Sequence, residues 1–147
     1  RWHADASWLA QPPTATALRM VQPPPAGGGD TCWSNVTAAY ADLIEPIRDM
    51  LDRLRAVHWM APSLAAMGVE AQDSNIQWTH PVVAVHPETG RKALFVSEGW
   101  TRCIEGVPSA QSVHLLAMLG QGTKALSILA EKFGALLFQA AQADALQ

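Results

Sequence analysis

His3 and Asp5 stand one residue apart. On an extended strand, side chains two residues apart share a face at a spacing of about 7 Å along the chain. An imidazole nitrogen and a carboxylate oxygen placed that way can close on one metal ion. Joined by a second imidazole, the pair makes the facial set of two nitrogens and one oxygen used by non-haem iron(II) oxygenases. That set leaves metal positions open for O2 and a chelating co-substrate. The same spacing also describes a surface histidine beside a solvated aspartate. Thr31 follows Gly28-Gly29-Asp30. Its hydroxyl suits a charge-assisted bond to a carboxylate, or it closes a glycine-rich turn with Asp30 as the local cap.

The elements that must position these residues follow from patterning. Residues Trp2 to Leu9 alternate loosely and predict a strand, ended by Gln11-Pro12-Pro13. Ala15 to Val21 predicts a second strand, with Leu18 and Met20 on one face. Pro23-Pro24-Pro25 and Gly27-Gly28-Gly29 read as a loop inside the domain. Ser34 or Asn35 can cap a short helix through Leu43, and Pro46 suits the first turn of a second helix, Ile47 to Arg55. Met60 to Gln77 is poorly patterned and reads as a surface loop or lid. Val82–Val85 and Ala93–Val96 predict a hairpin turning near Glu88-Thr89-Gly90. Ser109 caps a helix to about Leu119, Gly120 and Gly122 interrupt it, and Thr123 to Gln147 reads as a long Ala/Leu-rich helix. The fold class expected is mainly β with inserted helices, a partial jelly roll or double-stranded β-helix, incomplete at both ends.

Composition narrows the field. A chain of 147 residues, 49% hydrophobic, suits one domain. Its 16% charged residues fall below the roughly 25% of typical globular domains. A net charge of -3 without a basic run argues against nucleic acid. Cys32 and Cys103 make no disulfide framework and read as reduced residues packed as small hydrophobes, which points to the cytoplasm. The apolar C-terminal stretch is broken by Lys124, Glu131 and Lys132, so no membrane partner is expected. A chain that opens at Arg1 beside its best motif, with no charged-then-apolar leader, reads as one that begins in mid-domain.

Trp2-His3-Ala4-Asp5, Gly28-Gly29-Asp30-Thr31-Cys32-Trp33, His80-Pro81-Val82-Val83 and His86-Pro87-Glu88-Thr89-Gly90-Arg91-Lys92-Ala93-Leu94-Phe95-Val96 occur in that order. With them the chain resembles the central part of the taurine dioxygenase (TauD/TfdA) family of iron(II)- and 2-oxoglutarate-dependent dioxygenases. The resemblance covers roughly Arg1 to Leu119. It implies a dioxygenase domain over residues 1–120 and a helical tail over 121–147 that does not match.

The resemblance also implies roles. His3 and Asp5 would bind Fe(II), Thr31 would bind a carboxylate of 2-oxoglutarate, and Trp8 and Trp100 would line a substrate pocket. O2 would be the second co-substrate. His80 and His86 would be scaffold. Read from the sequence alone, His58 could face the site but more simply is packed or solvated, and His114 lies on a helix whose apolar neighbours suggest a structural role. The reaction implied is hydroxylation of a small organic substrate such as a sulfonate, a sulfate ester or an aryl ether. The family's second metal histidine and its co-substrate arginine have no counterpart, since no His follows His114 and no Arg follows Arg102. On that count of ligands, this chain alone is expected not to turn over. Two other readings stay open. One is a non-catalytic truncated remnant. The other is a structural module self-associating as a homo-oligomer through the stripe Leu126, Leu129, Phe133, Leu136, Leu137 and Ala140.

Overall fold

A computed structural model describes residues 2–22, 31–60 and 76–120. Two short helices precede the strands among the described residues. Helix α1, Val36–Ala41, begins where the Asn35 side chain accepts a hydrogen bond from the Ala38 amide at 3.0 Å, satisfying one of the amides a helix start leaves open. Helix α2, Glu45–Leu51, carries Pro46 in its first turn, where no amide is needed. It ends four residues before the expected limit of Arg55, because Arg55 opens the next strand.

Strand β1, Arg55–Trp59, is central to a three-stranded sheet. It pairs antiparallel with β2, Gln77–Pro81, on one side and with β5, Thr101–Ile104, on the other. Ala56 and His58 share the buried face of β1. The β1–β5 register shifts between Val57 and His58. A second sheet is the expected hairpin: β3, Val83–Val85, pairs antiparallel with β4, Lys92–Leu94. Gly90 closes its turn with a positive φ of 68°, a conformation that favours glycine. His86 stays with this scaffold, its ring nitrogen facing the Glu88 and Thr89 amides. Residues 109–120 form helix α3. Gly120, the last residue described there, is still helical, and the expected break at Gly122 lies outside the described residues.

The core gathers Leu51, Ala56, Val82, Leu94, Ile104 and Leu119 from both sheets and from helices α2 and α3. Ser112, fully buried in α3, accepts from the Ile104 amide at 2.6 Å and ties the helix to β5. Asp52 accepts from the Tyr40 hydroxyl at 2.9 Å and from Lys92 at 2.5 Å, joining both early helices to β4. Lys92 holds the Asp52 carboxyl below its ordinary pKa.

Several expectations are corrected. Trp2 to Leu9 is an irregular loop with turns at residues 5–8, and Ala15 to Val21 forms no strand and is exposed. With partners for its amides in neither sheet, alternation alone cannot make that segment a strand. Cys32 is exposed and not packed, whereas Cys103 is half-buried. The proposed lid lies mostly outside the described residues, and its last residue, Gln77, begins β2. The long C-terminal helix and its apolar stripe also lie outside them. Among the described residues no helix is long and apolar enough to cross a membrane.

Candidate metal centre

The loop carrying His3 and Asp5 is an arch fixed at both ends. At its start, the Gly99 amide donates to the Trp2 carbonyl at 3.0 Å. At its far end, Ser7 Oγ lies 2.9 Å from His58 Nδ1, and the Leu9 carbonyl accepts from His80 Nε2 at 2.9 Å. Between these points the chain reverses through Ala6, whose φ is +51°. The Leu9 amide closes the turn on the Ala6 carbonyl at 3.0 Å.

Within the arch His3 Nε2 and Asp5 Oδ1 converge to 3.0 Å. The convergence expected from the spacing is present, but a turn produces it and not a strand face. Metal–donor bonds of about 2.1 Å meeting at a right angle would separate their two donor atoms by about 3.0 Å. The pair therefore has the bite a metal ion needs. Both side chains are about half exposed, leaving the outward side open to further ligands. All five histidines of the chain lie among the described residues. No group of three His, Cys, Asp or Glu side chains suited to a metal gathers there.

Aromatic rings back the pair. The His3 ring meets Trp100 edge-on with centroids 5.4 Å apart, and Trp100 meets Trp8 edge-on at 4.9 Å. Edge-to-face pairs at these separations are favourable for ring quadrupoles. Trp100 thus meets both the His3 ring and the Trp8 ring edge-on. The Trp100 indole nitrogen is buried with no hydrogen-bond partner among the described residues.

A cavity of about 550 Å³ opens beside the pair. Trp2, His3, Trp33, His58, Phe95 and Arg102 line it, together with Thr101 and one side of α3. Cys32 and Ser34 line it as well, whereas Thr31, one residue earlier, is exposed. Thr101 is held by a tight turn in which its hydroxyl accepts from the Ser97 amide at 2.8 Å.

Sequence patterning did not single out Ser7, Gly99 or Arg102; His58, read as able to face the site but more simply as packed or solvated, is packed and also lines the cavity. His58 is almost fully buried and stacked on Phe95, with centroids 5.2 Å apart. Burial pushes its imidazole down to about 4, His80 pushes the same way, and the Phe95 main chain partly opposes them. The ring is therefore neutral at pH 7. The alternation Ala56–His58 was the readable signal, had Arg55–Trp59 been recognised as a strand. Gly99 lies in Glu98-Gly99-Trp100, but no pattern in the sequence shows that it touches His3.

The profile described as Taurine catabolism dioxygenase TauD, TfdA family matches residues 1–128. The chain belongs to the TauD/TfdA family. Among TauD/TfdA relatives, an alpha-ketoglutarate-dependent sulfate ester dioxygenase of Pseudomonas putida is 36% identical over 130 residues, which is 80% of this chain and 42% of the relative. An alpha-ketoglutarate-dependent dioxygenase of Penicillium expansum is 39% identical over 125 residues, 81% of this chain and 35% of that protein. The crystal structure of a taurine dioxygenase from Burkholderia xenovorans superposes with a TM-score of 0.71 at 39% identity, covering 83% of this chain and 40% of that one. The chain thus spans well under half the length of each.

Proposed function

We propose that this chain carries the His-x-Asp part of an iron(II)- and 2-oxoglutarate-dependent dioxygenase acting on small molecules that bear a sulfate ester or sulfonate group. One observation carries the reading: the 3.0 Å convergence of His3 Nε2 and Asp5 Oδ1 beside a cavity, in a chain of this family. When bound, the iron supplies O2 activation, coupling decarboxylation of 2-oxoglutarate to succinate with oxidation of a substrate C–H bond. The two sheets would then be part of a jelly roll, and the protein would work in the cytoplasm.

The chain's own residues divide the remaining tasks. His3 and Asp5 supply two donors, with the third donor coming from outside the pair's present neighbours. Thr31 offers its hydroxyl to a 2-oxoglutarate carboxylate. Trp100 packs on the His3 ring and Trp8 on Trp100; neither is among the residues lining the cavity, so their proposed part in the substrate site is to back the His3 ring. Trp2, Trp33 and Phe95 keep water from the cavity.

Arg102 is the charged group proposed to meet an anionic substrate, although its guanidinium rests on Trp59 and Gln77, neither of which lines the His3 cavity. Among the described residues lining the cavity it is the one permanent cation. Its guanidinium lies 5.0 Å over the Trp59 ring and donates to Gln77 Oε1 at 3.3 Å. No ion pair to it forms among the described residues. A sulfate or sulfonate oxygen would give it the charge-assisted partner it lacks.

The test is anaerobic titration of Fe(II) and then 2-oxoglutarate into the chain and into a His3→Ala variant. The visible charge-transfer absorption of an iron-bound 2-oxo acid is followed, and succinate is assayed after air and an alkyl sulfate are added. The reading expects the absorption in the parent chain and its loss in the variant. Equal iron binding by the two would refute it.

A further inference from the structure

We infer that Ser7, His58 and His80 form a buried latch that sets the metal-binding arch before any metal arrives. This rests on the reading of His3 and Asp5 as metal ligands. It adds that histidines outside the ligand set are positioning residues for them.

The latch has two bonds and one platform. Ser7 and His58 are essentially inaccessible, at 0% and 1% exposure, and His80 is 9% exposed. The buried Ser7 hydroxyl and His58 Nδ1 face each other at 2.9 Å and satisfy one another, whereas His58 Nε2 is buried with no hydrogen-bond partner among the described residues. The Leu9 carbonyl can only accept, so the His80 imidazole carries its hydrogen on Nε2. That assignment fixes the tautomer of His80 and the direction of its bond. The two rings come from adjacent antiparallel strands and meet edge-on at 5.5 Å. Both pack on Phe95, at 5.2 Å and 5.4 Å. The anchors therefore stand on the rigid sheet, while the groups they hold belong to an irregular loop.

Placement explains what the latch does. Asp5 lies two residues before Ser7, across the left-handed Ala6. Residues in that backbone region persist only where their surroundings hold them. Without the Ser7 anchor, the reversal is held only from beyond it, by the Leu9–Ala6 amide bond, the Leu9–His80 bond and the Trp8–Trp100 contact, and Asp5 gains freedom to swing from His3. The Gly99 amide on Trp2 pins the opposite end. A ligand pair with only two protein donors in reach depends heavily on such preorganisation, because each donor's orienting partners govern affinity.

The experiment compares the parent chain with Ser7→Ala, His58→Ala, His58→Asn, His80→Phe and His80→Gln. Asparagine can place an amide nitrogen or oxygen near the Nδ1 position, and glutamine can place one near Nε2. The latter two conservative variants should therefore restore what the apolar ones remove. Two readouts are taken: amide hydrogen exchange of residues 2–9 in the metal-free chain, and Mn(II) affinity by its electron paramagnetic resonance signal.

The latch requires faster exchange confined to residues 2–9 in Ser7→Ala, His58→Ala and His80→Phe. It also requires Mn(II) affinity lower by about tenfold or more, with recovery of both in His58→Asn and His80→Gln. Unchanged exchange in 2–9, or equal acceleration throughout the chain, overturns it and leaves the histidines as ordinary core residues. If the parent chain shows no His3-dependent Mn(II) binding, the metal reading fails, and the exchange arm still decides the latch.

Discussion

Gly99 leaves no room for a side chain against His3: a Cβ built on it would lie 3.0 Å from His3 Cβ and 3.1 Å from the Trp2 carbonyl oxygen. Both neighbours belong to the arch, and one is backbone, so neither can give way cheaply. Gly99→Ala should therefore push the start of the arch outward. The expected cost is about 1–3 kcal/mol, the usual range for overpacking, with weaker Mn(II) binding. Urea unfolding and metal titration of the same variant check both parts.

Ala6 gives a second, opposite prediction. At φ +51° a β-carbon is disfavoured by roughly 1–2 kcal/mol. Ala6→Gly relieves that strain while adding unfolded-state freedom, so its stability should change by less than about 1 kcal/mol. Ala6→Val, with a branched carbon in the same turn, should lose more than about 1 kcal/mol. Chemical denaturation midpoints of the two variants should fall on different sides of this limit.

His58 makes stability depend on pH. Its folded-state pKa, about 4, lies below the ordinary 6.5. Between these values the unfolded chain takes up a proton that the folded chain refuses. Stability from this group is whole above about pH 6.5, declines as the pH falls toward 4, and is constant below that. The full decline is on the order of 3 kcal/mol. Melting temperatures measured from pH 7.5 to 4 should show it, and the slope should flatten in His58→Asn, which has nothing to protonate.

Arg102 is testable without turnover. Replacing it by methionine removes the charge that sits over Trp59 and leaves an unbranched apolar side chain. Binding of a short alkyl sulfate, read by ligand-detected magnetic resonance, should weaken about tenfold, the scale of one hydrogen bond to a charged group. A neutral alcohol of the same length should bind both forms alike. Equal loss for both ligands would show that the arginine only shapes the wall.

The sequence exposed some of this architecture and hid the rest for physical reasons. Asn35, Pro46 and Gly90 act through their own backbone and nearest neighbours, so the caps and the hairpin turn were legible. Strands β1, β2 and β5 were not. Arg55–Trp59 follows a helix without a break in apolar spacing, Gln77–Pro81 ends on a proline, and Thr101–Ile104 is only four residues long. The reverse error, a strand at Trp2–Leu9, came from alternation that the Ala6 turn interrupts. Alanine carries no mark of a positive φ. His3 and Asp5 were found by spacing, yet Ser7, His58 and His80, which hold them, are linked by tertiary contacts with no local signature.

The bonds from Ser7 to His58 and from Leu9 to His80 join residues 51 and 71 positions apart. Contacts of such long span form late, because the intervening loop must close before they reward it. On a ribosome His3 and Asp5 emerge well before either anchoring histidine. Until His80 has left the exit tunnel and β2 has paired with β1, the arch has nothing to rest on. If His3 and Asp5 are the donors proposed above, the nascent chain holds them as an unshaped, weakly binding pair, and selective metal capture waits until the sheet exists.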